Sequence, residues 1–274
     1  MADVSRTIIV AGNYRCGTTW LAEMLAKGID GYELVFEPIR AYLPTMANSG
    51  ITQWRPYITA SSATRSHVDA FSRVLSGDVC RTDELSRTDA NKVLLANGLV
   101  VKFVRGLMSL RWMVDRFSPR AAFVIRRHPC SAIASQLRVD APKGTPVGMH
   151  CFQEFLGRHQ NISIREPRTD AQWLALWYAA SYYAALSTPM PHPWHVVKYE
   201  DLCAGPESVM KRIFIPLGES PKDVGALFSK LSMTSREWST GKPTGWKKFM
   251  GHHAADVWEV CSWFPGVTDG YAAP

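Results

Sequence analysis

The chain has 274 residues, 46% hydrophobic and 20% charged, a balance that excludes a disordered, fibrous or low-complexity protein and allows a substantial buried core. Lysine and arginine outnumber aspartate and glutamate by 31 to 24, and the resulting formal charge of +7 favours an anionic partner without choosing among nucleotide, nucleic acid and anionic membrane. Cys16, Cys80, Cys130, Cys151, Cys203 and Cys261 show no C-x-x-C pair or zinc spacing, and no leader-like or membrane-spanning apolar run follows Met1, so free thiols in a cytoplasmic protein are expected.

Thr7 to Ala11 is a short β-branched run, followed by a glycine-containing loop and then by Thr18 to Lys27, where Trp20, Leu21, Met24 and Leu25 recur at helical spacing. A second apolar stretch, Tyr32 to Phe36, ends at Glu37 and Pro38, and a third, Leu99 to Val104, precedes the amphipathic segment Leu107 to Phe117. Ala121 to Ile125 runs into Arg126, Arg127, His128 and Pro129, with a helical pattern through Leu137, and Trp194 to Val197 is the last apolar run. Short apolar strands alternating with helices predict an α/β fold, a parallel sheet flanked by helices, with its ligand beyond the carboxyl ends of the strands. With no repeat or low-complexity linker, residues 1–274 are read as one domain. Leu43 to Thr64 and Asp140 to Arg168 carry no clear period and are expected to lie over the sheet, where an acceptor could bind.

Gly12-Asn13-Tyr14-Arg15-Cys16-Gly17-Thr18-Thr19 stands between the first strand and the first helix with the spacing of the phosphate loop G-x-x-x-x-G-K-[ST], except that Thr18 occupies the lysine position. Such a loop aims backbone N–H groups and a helix N-terminus at an anion, and Arg15 is the candidate for an added full charge. A nucleotide triphosphatase needs a strand-end carboxylate for Mg²⁺, whereas Ala121 to Ile125 ends in Arg126 and Arg127, which suit a second anionic group. Two separated basic sites match a donor phosphorylated at its 5′ and 3′ positions, and no metal is expected.

These residues resemble the sulfotransferase superfamily. Tyr14-Arg15-Cys16-Gly17-Thr18-Thr19-Trp20-Leu21 is similar to its 5′-phosphosulfate loop, written PKSGTTWL or, in carbohydrate-type and many bacterial branches, RSGTTWL. Arg127-His128-Pro129 followed by Ser135 resembles the 3′-phosphate motif R-x-P-x-x-x-x-x-S, Lys198-Tyr199-Glu200-Asp201-Leu202 the YEDL segment, and Gly245-Trp246-Lys247-Lys248 the C-terminal nucleotide loop G-x-W-K. Tyr14 and Cys16 depart from the Pro and Ser of the cytosolic form. The resemblance implies a P-loop-like sulfotransferase core, the donor PAPS (3′-phosphoadenosine-5′-phosphosulfate) and its product PAP (adenosine 3′,5′-bisphosphate). The donor contacts it implies are Arg15, Cys16, Gly17, Thr18, Thr19, Trp20, Arg127, Ser135, Trp246, Lys247 and Lys248. It also implies a base for the acceptor hydroxyl. The histidine of the cytosolic K-T-H pattern is Val104 here, while Phe36-Glu37-Pro38 is similar to the F-E-P segment of the carbohydrate-type branch, which makes Glu37 the expected base and Lys102 a group that binds or polarises the sulfuryl.

Each residue also has an ordinary reading. Thr18 and Thr19 could only start a helix; Ser135 could be a surface serine; Trp20 is open between core residue and base platform; Lys102 could be an edge residue. Glu37, before a proline, could be an exposed loop residue. Arg126 is read as a solvated strand end, Tyr199, Glu200 and Asp201 as structural, and His252 and His253 as solvated. The alternatives to a sulfotransferase are a small-molecule kinase with a degenerate loop, a nucleotide-binding module without catalysis, and a nucleic-acid binder, for which no aromatic-interleaved basic stripe is present. The acceptor is open among sugars, lipids, natural products and protein tyrosine.

Overall fold

The five apolar runs become β1 (Thr7–Gly12), β2 (Tyr32–Phe36), β3 (Gly98–Phe103), β4 (Ala121–Arg126) and β5 (Trp194–Lys198), hydrogen-bonded in the order β2-β3-β1-β4-β5. Every pairing is parallel. The computed structural model describes residues 3–139, 148–189, 194–220, 246–251 and 253–274. Because side chains alternate along a strand, a sheet covered on both faces needs apolar residues at consecutive positions. In β1, Ile9 and Ala11 enter one core with Val101, Phe103 and Val124, while Ile8 and Val10 enter the opposite core with Val100, Phe123 and Ile125.

The helices are α1 (Thr18–Gly28), α2 (Pro44–Asn48), α3 (Arg65–Ser76), α4 (Ala90–Leu95), α5 (Leu110–Phe117), α6 (Pro129–Arg138), α7 (Gln153–Arg158), α8 (Asp170–Leu186), α9 (Tyr199–Ala204), α10 (Pro206–Phe214), α11 (Trp246–Met250) and α12 (His253–Ser262). Leu21, Met24 and Leu25 of α1 pack on one face of the sheet together with Met210 and Phe214 of α10. The other face is covered by α3, α5, α6, α8 and α12 through residues such as Phe71, Trp112, Ile133, Trp177 and Val257. The helices that follow the adjacent strands β1 and β4 therefore leave toward opposite faces, which opens a crevice at the strands' carboxyl ends.

The longest helix among the described residues, α8, holds that crevice together. Thr169 caps it by accepting the Gln172 N–H at 3.2 Å, and it is apolar and buried around most of its circumference. It therefore lacks the one-sided stripe that marks a surface helix. Two of its buried hydroxyls face the strand ends. Tyr182 donates to the Ile125 carbonyl at 2.6 Å and accepts the Asn13 N–H at 3.1 Å, while Tyr178 donates to the Arg127 carbonyl at 2.5 Å. One side chain thus ties the end of β4 to the first residue after β1. Tyr182→Phe leaves a buried carbonyl and a buried N–H without that partner, so a loss of about 1–3 kcal/mol is expected. It would be read as a lower urea midpoint at unchanged slope, and an unchanged midpoint would remove Tyr182 as the clamp.

Candidate active site

The loop after β1 turns on two left-handed residues. Arg15 has φ 63° and Gly17 φ 92°, and Gly17 is the N-cap of α1 without any side-chain capping bond. A Cβ at Gly17 would lie 2.5 Å from the Tyr199 ring, so only glycine allows that approach. Thr18 and Thr19 begin the helix, Thr18 buried and Thr19 half-buried, with the helix N-terminus behind them. Cys16 faces the core instead. Burial pushes its thiol up to about 11, and its N–H turns back to the Asn13 carbonyl at 3.3 Å, so its side chain is part of the scaffold.

Arg15 and Arg127, assigned by the sequence to two ends of a donor, are brought together. The Arg15 Nε donates to Ser135 Oγ at 3.0 Å, and an Arg127 NH group donates to the Arg15 carbonyl at 3.0 Å. Burial, and then the charge of Arg127, make the Arg15 guanidinium easier to deprotonate than usual. Arg127 lies over the Tyr199 ring, 4.6 Å from its centroid, its Nε is buried without a partner, and no carboxylate pairs with it among the described residues. Gln136 closes the loop from α6 by donating to the Tyr14 carbonyl at 3.2 Å.

The remaining motif residues brace this cluster. Glu200 accepts the His128 N–H at 2.8 Å, and Tyr199 lies between the loop at Gly17 and Arg127. Trp246 is buried and stacks on His128 with ring centroids 4.6 Å apart, while Lys247 is exposed. Gly245, His252 and the side chain of Lys248 lie outside the described residues, and His253 is half-buried with Nδ1 3.9 Å from Asp256. Trp20 is both a core residue and an edge-on neighbour of Tyr199, 6.1 Å between centroids. Arg126 is not a solvated strand end. It is 9% exposed, donates to the Val267 carbonyl and lies beside the Tyr182 and Tyr271 rings, because residues after α12 fold back over the end of β4.

Glu37 and Lys102 face each other. Their side chains form a buried salt bridge, at 5% and 3% exposure, so Glu37 is not an exposed loop residue and Lys102 is not at an edge. Register explains the encounter: Lys102 sits on β3 between β1 and β2, paired with Val10 and Phe36. The ladder continues for one more bond, from the Glu37 N–H to the Lys102 carbonyl at 2.8 Å, and the chain then turns left-handed at Glu37 with φ 53°. The Val104 N–H lies 3.3 Å from the second carboxylate oxygen. The Lys102 ammonium stays below its ordinary pKa, because burial lowers it more than the neighbouring Glu37 raises it.

Three residues beside the loop were not singled out from the sequence. Arg55, 4% exposed, donates to the Asn13 side chain at 3.0 Å, to Ser181 at 3.1 Å and to the Trp177 carbonyl at 3.3 Å. Burial, and then Arg105, bring its guanidinium down to about 10. Arg105, 7% exposed, lies 3.9 Å from the Trp54 ring centroid and 5.9 Å from that of Tyr14. A signal existed for Arg105, which directly follows the apolar run Leu99 to Val104; Trp54 and Arg55 lie in the aperiodic stretch between Leu43 and Thr64.

The model of the sulfotransferase family matches residues 7–223, well over half of the chain. The chain belongs to the sulfotransferase family. Among solved structures it is similar to the sulfotransferase domain from the curacin biosynthetic pathway, at TM-score 0.52 and 15% identity, over 98% of this chain and 99% of that one. The sulfotransferase domain from the Synechococcus PCC 7002 olefin synthase matches at TM-score 0.47 and 16% identity, over 98% and 95% of the two chains. The likeness to the curacin domain is one of fold. No curated protein sequence matches significantly. Among the described residues of this sulfotransferase, no His, Cys, Asp and Glu cluster is placed to hold a metal ion, and no helix is long and apolar enough to cross a membrane.

The salt bridge makes a prediction about stability. Glu37→Gln strands a buried ammonium and is expected to cost about 3–5 kcal/mol, whereas combining it with Lys102→Met should recover most of the loss. Urea denaturation of the two variants checks this, and a double variant no more stable than the single one would contradict it.

Proposed function

We propose that this sulfotransferase takes its sulfuryl group from PAPS and passes it to an acceptor hydroxyl, yielding a sulfate ester and PAP. The observation that carries the reading is the pairing of Arg15 and Arg127 across the ends of β1 and β4, with Ser135 bonded to the first and a buried, unpartnered Nε on the second. Like charges brought together in a half-buried site call for a multiply charged anion, and a nucleotide bearing a 5′-phosphosulfate and a 3′-phosphate supplies one. In this reading the loop backbone from Arg15 to Thr19 and the start of α1 take the 5′ end, while Arg127 and Ser135 take the 3′-phosphate. Arg15 serves both, its backbone in the loop and its guanidinium beside Ser135.

Glu37 is the base. It accepts the hydroxyl proton as the acceptor oxygen bonds to sulfur, and the bond from sulfur to the 5′-phosphate oxygen breaks with its electron pair kept by PAP. The Lys102 ammonium, now shared with Glu37, turns toward the sulfuryl oxygens; this both stabilises their charge and makes the carboxylate a better proton acceptor. The acceptor enters from the side of residues 43–64.

Two measurements test the reading. PAP is expected to bind about 10- to 100-fold more tightly than AMP by calorimetry, the worth of charge-assisted bonds to one further phosphate, and Arg127→Ala should abolish most of that margin. Equal affinities in the parent protein would remove the 3′-phosphate site. Turnover with labelled PAPS and a panel of sugar, lipid and phenolic hydroxyls should fall by about 10²- to 10⁴-fold in Glu37→Gln, the usual contribution of a positioned base. Near-parental turnover in a folded Glu37→Gln variant, with loss in Lys102→Met, would move the base elsewhere.

A further inference from the structure

Arg105 and Arg55 are two adjacent arginines on the side of the phosphate loop bounded by residues 43–64. Arg55 is committed: its NH groups go to Asn13, Ser181 and the Trp177 carbonyl, and its face lies 5.2 Å from the Trp177 ring centroid. Arg105 is different. Its Nε, like that of Arg55, is buried and unbonded, but its guanidinium lies against Trp54 and near Tyr14, and among the described residues no carboxylate pairs with either arginine. Stacking on an indole orients a guanidinium while leaving its in-plane donors for another group. A buried donor without a partner is costly, and a second buried cation beside it raises that cost. An arriving oxyanion relieves both.

We propose that Arg105, backed by Arg55 and oriented by Trp54, forms an oxyanion subsite separate from the nucleotide phosphates. This rests on the donor site described above. The shared chemistry is a carboxylate-, phosphate- or sulfate-like group beside Tyr14, and it has two possible sources: the sulfuryl group of the donor, or an anionic group carried by the acceptor. In the second case Arg105 sets acceptor specificity by favouring hydroxyl compounds that bear a negative charge.

The test is calorimetric, with inorganic sulfate titrated into PAP-saturated protein and PAPS compared with PAP, in the parent, Arg105→Met and Arg105→Lys. Removing one charge-assisted donor set should weaken sulfate binding by about tenfold or more in Arg105→Met, with Arg105→Lys keeping much of the affinity. If the donor's sulfuryl is the occupant, Arg105→Met also shrinks the margin by which PAPS binds better than PAP. If the acceptor's group is the occupant, that margin stays and only the sulfate titration responds. Sulfate that binds parent and Arg105→Met alike, or binds neither, together with an unchanged PAPS margin, overturns the proposal. A PAP-dependent rise in melting temperature reports that each variant is folded, and should Arg105→Met not fold, Arg105→Gln is read in its place. PAP that fails to bind the parent overturns the donor site and this subsite with it, which separates the two failures.

Discussion

Positive charge held out of water at the carboxyl end of the sheet is the constraint around which the site is arranged. Arg55, Arg105 and Arg126 are all under one-tenth exposed, and among the described residues none of them pairs with a carboxylate. Carbonyl and hydroxyl oxygens and aromatic faces take that place: Val267, Tyr182 and Tyr271 for Arg126, Ser181 and Trp177 for Arg55, Trp54 for Arg105 and Tyr199 for Arg127. The distinction matters. Neutral dipoles and ring quadrupoles lower the cost of burial without cancelling the field, whereas carboxylates would extinguish it. A positive field therefore remains at the strand ends.

Holding several cations near one another requires a frame that does not relax. Here the frame is the strand ends, and α8 locks them through hydroxyls rather than charges. Tyr182 joins β4 to the loop after β1, Tyr178 fixes the backbone at Arg127, and Gln136 fixes the backbone at Tyr14 from α6. Burial keeps the hydroxyls of Tyr178 and Tyr182 neutral, their pKa raised well above the ordinary value, so these bonds add no charge to a crowded site.

What the sequence made legible follows from how each signal arises. All five strands were visible within a residue or two as short apolar runs, and β1, β3 and β4 were the plainest because a doubly covered parallel strand is apolar at consecutive positions. The loop after β1 was visible because its glycine spacing is local. Helix α8 was not, since an all-round apolar helix has no period to find, and Trp54 and Arg55 were not, since their partners lie far along the chain at Arg105, Asn13 and Ser181. Arg126 was misread for the same reason: the carbonyl that buries it belongs to Val267, 141 residues away. Glu37 and Lys102 were each identified, yet that they form one ion pair depended on β2 and β3 being neighbours despite the chain between them.

Backbone strain marks the same place independently. Among the described residues four non-glycine residues have positive φ: Arg15, Glu37, Arg87 and Ser118. Ser118 ends α5 in the left-handed conformation that commonly terminates helices, which needs no functional explanation. Arg87 lies over Phe36, the residue before Glu37, 5.0 Å from its ring centroid. Arg15 and Glu37 differ from Ser118 in standing just beyond the carboxyl ends of β1 and β2, each with a backbone bond that holds the turn: Arg127 to the Arg15 carbonyl, and the Glu37 N–H to the Lys102 carbonyl. A left-handed conformation costs a side-chain-bearing residue about 1–3 kcal/mol, and a glycine at either position would avoid most of it. The side chains are what glycine would lose: a guanidinium on Ser135 and a carboxylate on Lys102. The fold accepts strain at two positions whose side chains it then holds at the carboxyl end of the sheet, one beside Ser135 and one beside Lys102.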